Sequence, residues 1–255
     1  MELIKNTIRV GNSAGVLLPK EYLNSQVKII LEPLNIEKDV IELLLEEGIL
    51  QETKGIYLTG SYAREENTIN SDVDILVITS KTNKRIVKEK YELLLISEEK
   101  LEQQLQKNIF PLFFMIKESK PIFNSELIEK YKQTPITKKN TKWHTETTKS
   151  AMGIIKSSIA LSEEMGTKES SASAYSLILR LRGLYLLDSL KKGKIGTTKE
   201  LKKLIIRLTG SLKIYEGYLN IKANNKETYN LDIGDAKKVL KYILEKIKNQ
   251  EDSIK

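Results

Sequence analysis

The sequence predicts an α/β chain of the α+β kind: a short N-terminal β-hairpin segment (residues 1–34), a small mixed-sheet domain (35–134) and a C-terminal four-helix-type bundle (135–255). Three observations predict it. Ile56 to Ile78 reads as a strand, a Gly-Ser turn, a short polar helix and a second strand. From Trp143 onward, apolar residues recur at i, i+3, i+4 and i+7, the spacing of one helix face. The charge also divides with the segments. Residues 35–134 hold 14 basic and 18 acidic side chains, and residues 135–255 hold 24 and 13, within a total of +8.

In the first segment, short apolar strands flank Gly11-Asn12-Ser13-Ala14-Gly15, Pro19 starts a brief helical turn, and Gln26 to Leu31 reads as a further strand. A segment of this size cannot bury a core alone, so it must pair with another copy or dock elsewhere.

The middle domain opens with a helix from Ile36 to Leu50, its stripe formed by Ile36, Val40, Ile41, Leu44, Leu45 and Ile49. Strands follow at Ile56-Tyr57-Leu58 and across Asp72-Val73-Asp74. A basic turn (Lys81, Lys84, Arg85, Lys88) then leads to a third strand, Tyr91 to Ile96. Ser97-Glu98-Glu99 is a helix start, with the hydroxyl available to free amides. Pro111 to Lys117 is strongly apolar; its Phe-Phe-Met cluster suits core or a purine-stacking wall. Pro121-Ile122-Phe123 reads as a last strand and Glu126 to Tyr131 as a short helix. The polar, basic stretch Thr134 to Lys142 reads as a linker.

Chemistry concentrates in the first of these strand pairs. Side chains on a strand alternate faces, so Asp72 and Asp74 point the same way. Two adjacent carboxylates repel unless a cation lies between them, and oxygen ligands of this kind suit Mg²⁺. Gly60 and Ser61 place backbone N–H groups and a hydroxyl at a helix start, a position where phosphate binds. Arg64, on that helix, is placed to neutralise phosphate charge.

The bundle stripes are Met152, Ile155, Ile159 and Leu161; then Ala174, Leu177, Ile178, Leu181, Leu184 and Tyr185. Leu201, Leu204, Ile205, Leu208 and Leu212 follow, continued by Tyr215 and Leu219, and Ala236, Val239, Leu240, Ile243, Leu244 and Ile247 close the chain. Its positive charge suits a polyanion or an acidic partner, or else a lysine-rich solvated surface. Arg180 and Arg182 either bind phosphate, pair with Asp188 or reach solvent. A lone His144 makes a poor metal site and reads as structural or surface.

Gly60-Ser61, a ten-residue gap and Asp72-Val73-Asp74, each flanked by apolar residues, resemble the nucleotidyltransferase superfamily related to DNA polymerase beta, in its minimal form. Ala63 and Arg64 extend the likeness, and Glu65 stands where many members have glycine. The resemblance implies Mg²⁺ at Asp72 and Asp74, ATP or another nucleoside triphosphate on the Gly60-Ser61 turn, and transfer of a nucleoside monophosphate to a hydroxyl. It also implies a third carboxylate on the neighbouring strand, as metal ligand or general base. Glu92 is the acidic residue inside that strand; a solvated strand start is the other reading for it.

Val10 to Ser13 and Val16 to Lys20 are similar to the swapped-hairpin domain of AbrB and MazE type antitoxins and regulators. That likeness implies a homodimer and DNA contacts through Lys5, Arg9 and Lys20, although a segment of net +1 serves dimerisation as readily as phosphate binding. The bundle resembles, by arrangement, the HEPN-like partners of minimal nucleotidyltransferases. It lacks their Arg-then-His ribonuclease motif, so no RNA cleavage is expected.

The expected function is AMP transfer from ATP to a protein or RNA hydroxyl in a toxin–antitoxin-like setting. The alternatives are a nucleotide-sensing, DNA-binding regulator without enzyme activity, and a small-molecule (aminoglycoside-type) transferase. With no cysteine, disulfides and thiolate metal sites are excluded. No apolar run reaches the length of a membrane span, which leads to the expectation of a cytoplasmic protein without a membrane partner.

Overall fold

Glycine punctuation and strand patterning set the first element pair. In the computed structural model, which describes residues 3, 5, 7–29, 34–68, 71–168, 170–222 and 231–253, the chain divides into two units, Met1–Ile36 and Glu37–Lys255. In the first, β1 (Ile8–Val10) and β2 (Ser13–Gly15) form an antiparallel hairpin around Gly11, whose φ of 60° suits a residue without a side chain. Arg9 lies in β1 opposite Ala14. Pro19 precedes a single 3₁₀ turn, Lys20–Tyr22, and both Lys5 and Lys20 are exposed. The expected strand at 26–31 does not form over residues 26–29; Ile30 and Leu31 lie outside the described residues. A strand needs a hydrogen-bonding neighbour, and the only sheet of this unit among the described residues is the β1–β2 pair. Leu17, Leu23, Val27 and Ile29 are all exposed, in keeping with a segment too small for its own core.

The second unit begins its fold with α1 (Ile36–Glu46), ended by Gly48 at φ 69°. Val40, Leu43, Leu44 and Ile49 are buried, whereas Ile41 and Leu45 face outward. The buried stripe is thus rotated from the expected one, with Leu43 taking the place of Ile41. Behind α1 lies a five-stranded sheet of β3 (Thr53–Thr59), β4 (Val73–Thr79), β5 (Lys84–Lys88), β6 (Tyr91–Ser97) and β7 (Lys120–Phe123). The order is β5-β6-β4-β3-β7; β4 and β6 run parallel and the other pairs antiparallel. β5 corrects the reading of a basic turn. Lys84-Arg85-Ile86-Val87-Lys88 buries only Ile86 and turns its charges outward. Charge on an edge strand keeps it from pairing with other chains.

The short α2 (Gly60–Ala63) joins β3 toward β4. α3 (Glu98–Lys107) starts at Ser97, whose hydroxyl accepts the Lys100 N–H as expected. The apolar run becomes α4 (Leu112–Glu118), with Phe113 and Ile116 buried in the sheet core alongside Tyr57, Leu76 and Leu101. That core accounts for the Phe-Phe-Met cluster, since Phe114 and Met115 pack against it. α5 (Ser125–Lys132) completes this part.

The remainder is helical: α6 (Lys138–Glu164), α7 (Ser171–Lys191), α8 (Thr198–Thr209), α9 (Lys213–Lys222) and α10 (Ile233–Ser253). α6 begins inside the stretch read as a linker, because Thr137 and Asn140 form a reciprocal capping box. Among the described residues there are five helices instead of four. Gly210, at φ 84°, ends α8 in a left-handed cap and separates it from α9. The second core runs through Met152, Ile155, Leu177, Ile178, Leu181, Ile205, Val239 and Ile243. Leu161, Leu219 and Leu244 from the expected stripes are exposed. Leu187 of α7 instead joins the sheet core, so the two cores adjoin.

Candidate active site

The pairing of β3, β4 and β6 decides which side chains meet. Thr59, the last residue of β3, stands opposite Asp74, and its hydroxyl donates to the Asp74 carbonyl at 3.1 Å. Asp74 in turn stands in register with Glu92 on the parallel strand β6. Residues in register on neighbouring strands share a face, so the two carboxylates lie side by side. Asp72 precedes β4 by one residue and remains exposed.

The convergence has an electrostatic consequence. The Asp74 carboxyl is pushed up to about 6, by burial first and then by the negative charges of Glu92, Asp72 and Glu118, with Lys222 of α9 opposing. Glu92 itself is paired with Arg85 of β5 at 2.8 Å. The three neighbouring carboxylates thus act on Asp74 through their charge, and carboxylate oxygens are hard donors. Among the described residues, no three or more His, Cys, Asp or Glu side chains are gathered closely enough to hold a metal ion by themselves. Mg²⁺ commonly takes one or two protein carboxylates and completes its shell with water and substrate phosphates, a demand that Asp72 and Asp74 fit.

The Gly-Ser turn is built differently from the sequence expectation. Gly60 has φ 68°, and a Cβ placed there would lie 2.0 Å from Asp74 Oδ2. Only glycine lets the turn approach the aspartate. Gly60→Ala is therefore expected to displace Asp74 and reduce nucleotidyl transfer by about 100-fold. Pyrophosphate release from ATP checks this, with circular dichroism showing a retained fold. α2 is a single turn, and the Gly60 N–H donates to Glu118 Oε1 at 2.8 Å.

Glu118, the last residue of α4, also accepts from Arg64 Nη1 at 2.6 Å, while Arg64 Nε donates to Glu66 Oε2 at 3.0 Å. Arg64 is 10 % exposed, so its charge is committed to this pair of carboxylates. Glu66 goes on to accept the backbone N–H groups of Thr198 and Lys199, at 3.2 and 3.3 Å, at the start of α8. A continuous relay thus runs from the Gly60 turn through Glu118, Arg64 and Glu66 to the helical bundle. Glu65 adopts φ 58°, a left-handed conformation easier for glycine, and pairs with Lys120 at 2.6 Å.

Sequence reasoning missed Glu118, Glu66 and Arg85. Only Glu66 carried a local signal, an acid two residues after Arg64; Glu118 is brought in from 58 residues away from Gly60. Other expectations fall elsewhere. Asp188 is bound by Lys246 at 2.6 Å, and Arg180 donates to Thr147 Oγ1 at 3.4 Å. His144 is buried and stacked on Phe110 with ring centroids 3.8 Å apart. Burial, then the charge of Arg180, drops its imidazole to about 4, which keeps it neutral.

Residues 36–133 match the family model described as "Nucleotidyltransferase domain". Among solved structures, a nucleotidyltransferase-like protein from Exiguobacterium sibiricum 255-15 is similar at 18% identity and TM-score 0.39, over 85% of this chain and 76% of that one. The spectinomycin adenyltransferase AAD(9) from Enterococcus faecialis, with ATP and spectinomycin, is similar at 14% identity and TM-score 0.40, over 83% and 98%. Both likenesses are too low to bear on substrate. No curated protein matches the chain. No helix among the described residues is long and apolar enough to cross a membrane. The match to the nucleotidyltransferase family model falls on less than half of the chain, the segment that contains Gly60, Asp72, Asp74 and Glu92.

Proposed function

We propose that the chain transfers a nucleoside monophosphate, AMP from ATP, to a hydroxyl of a protein or RNA acceptor, with Mg²⁺ held by Asp72 and Asp74. The observation that carries this reading is the strand register that sets Asp74 between Thr59, the residue before Gly60, and Glu92, under the like charges that raise its carboxyl. Bound Mg²⁺ would supply charge neutralisation at the phosphates and a lower barrier for the leaving pyrophosphate.

The residues have separate tasks. Asp72 and Asp74 would hold the cation, which would neutralise phosphate charge. Glu92, oriented by Arg85, either completes that shell or takes the proton of the acceptor hydroxyl. In the latter case the acceptor oxygen forms its bond to the α-phosphorus, the bond from that phosphorus to the pyrophosphate oxygen breaks, and the proton passes to a Glu92 oxygen. Gly60 and Ser61 admit the triphosphate to the end of the inner strands β3 and β4. Lys222, near enough to favour the Asp74 charge, supplies positive potential from the bundle side.

The N-terminal hairpin serves as a dimer contact in this reading, with Lys5, Arg9 and Lys20 toward DNA, in a toxin–antitoxin-like setting. The full chain, incubated with Mg²⁺, α-labelled ATP and separate protein and RNA fractions, tests the proposal. Label is expected on a macromolecule and is expected to vanish in the Asp72→Asn/Asp74→Asn variant. ATP binding without any transfer, together with salt-sensitive binding to its own promoter DNA, would overturn the enzyme in favour of a regulator. Label on an added aminocyclitol, and on no macromolecule, would move the acceptor to a small molecule.

A further inference from the structure

The bundle holds a cavity of about 480 Å³ between α7, α8 and α10, and none of Asp72, Asp74, Glu92 and Glu118 lines it. Its size is within the range that takes a small ligand. Lys203 and Arg207 enter it from α8, Lys246 from α10, and Lys192 and Lys194 from the turn after α7. That turn is well fixed. The Lys192 and Lys194 N–H groups both donate to the Ser189 carbonyl, at 3.0 and 2.9 Å, around Gly193 at φ 69°.

Five cations therefore meet two carboxylates, and both carboxylates are already engaged. Asp188 holds Lys246 at 2.6 Å, and Glu200 accepts from the Tyr185 hydroxyl at 2.8 Å. Lys203 and Arg207 are four residues apart on one helix face, a like-charge spacing that costs stability in isolation. Helix ends account for a cation near each C-terminus taken singly. They do not account for cations of three elements converging on one concave space. Lys191, the chain neighbour of Lys192, has its amine lowered by burial, with Asp188 opposing and Lys246 lowering it further.

We propose that this cavity is a second anion site, separate from the transfer site, and that it takes a compact polyphosphate, free or carried on a nucleoside. A net local charge of three positives matches such a ligand, and several lysines with an arginine suit clustered phosphate oxygens. The Tyr242 ring, with Lys246 Nζ 5.7 Å from its centroid, also lines the space and offers a face to a base.

Calorimetric titration of the full-length Asp72→Asn/Asp74→Asn chain with inorganic tripolyphosphate, without Mg²⁺, tests this apart from metal-dependent binding at the transfer site. Saturable binding is expected, weakened roughly tenfold or more by Lys203→Gln/Arg207→Gln and by Lys192→Gln/Lys194→Gln. All four side chains are exposed, so both variants are expected to fold, as circular dichroism will show. If ATP binds more tightly than tripolyphosphate and Tyr242→Leu removes the difference, the ligand is nucleoside-borne; equal affinities assign a free polyphosphate. No binding, or binding unchanged in both charge variants, overturns the site. So does binding only to oligonucleotides with affinity that grows with length, which would mark a nucleic-acid surface. None of these outcomes alters label transfer at Asp74, which reports on the proposed activity independently.

Discussion

Asp74→Asn is expected to abolish nucleotidyl transfer while leaving the metal-free protein at least as stable as the parent. The two effects have one cause. Asp74 sits among Glu92, Asp72 and Glu118, and its ionised form is opposed by burial and by those charges. In the proposed function, the same crowding that costs stability without a cation is what would hold one. Losing a metal-holding carboxylate removes several kcal/mol of charge stabilisation in the transition state, a rate loss on the order of 10³-fold. Label transfer and thermal melts in chelator measure the two halves. A variant that melts well below the parent would show that the aspartate is a structural partner.

The pH dependence has a definite sign. The folded carboxyl stands at about 6, above its ordinary 3.8. The folded state thus binds this proton more tightly than the unfolded state, and its contribution is fully present below about pH 4 and is lost as pH rises through 6. In chelator, the Tm of the parent relative to Asp74→Asn is expected to rise as pH falls from 7 toward 5. Proton and cation compete for the same oxygens, so added Mg²⁺ is expected to flatten this difference.

Arg64→Met is expected to destabilise the protein by about 3–5 kcal/mol, the usual cost of leaving a buried charge without its partner. Here two carboxylates, Glu66 and Glu118, would lose their cation, both at 20 % exposure or below. For a chain of this size the Tm would fall by roughly 6–20 °C. The relay also makes a prediction of coupling. Arg64→Met combined with Glu118→Gln should cost less than the two changes added, because the second removes a charge that the first leaves stranded. The sequence-based expectation for Arg64 makes a different prediction, a raised KM for the nucleotide in a protein of unchanged Tm. The melt and the KM together decide between a strut and a phosphate contact.

Much of the site was legible because it is local. Gly60, Ser61, Asp72 and Asp74 lie within fifteen consecutive residues, and their spacing alone specifies a tight turn against an acidic strand. Glu92 was legible as the acid in the next strand. That it faces Asp74 depends on the parallel register of β4 and β6, which the strand patterns do not encode. The basic segment before it was misread because an edge strand buries a single side chain, Ile86, and its lysines and arginine look like a turn. Helices survived translation from sequence best, since an apolar stripe is a property of each helix separately. The stripes failed only at positions such as Ile41 and Leu161, where the neighbouring element decides which edge of the stripe is covered.

The sequence by itself determined the chemistry available: a glycine that can approach a carboxylate, paired acids for a hard cation, a family resemblance later matched over residues 36–133, and a basic helical region. Tertiary structure alone decided how those groups are held. Glu118 reaches Gly60 from α4, Glu66 ties Arg64 to the start of α8 across 132 residues, and cations from three elements converge on one cavity. The physical reason is the range of the forces involved. Backbone turns and helix faces are set by neighbours within a few residues, whereas the energy of a buried charge is set by whatever partner the packed chain brings to within 3 Å.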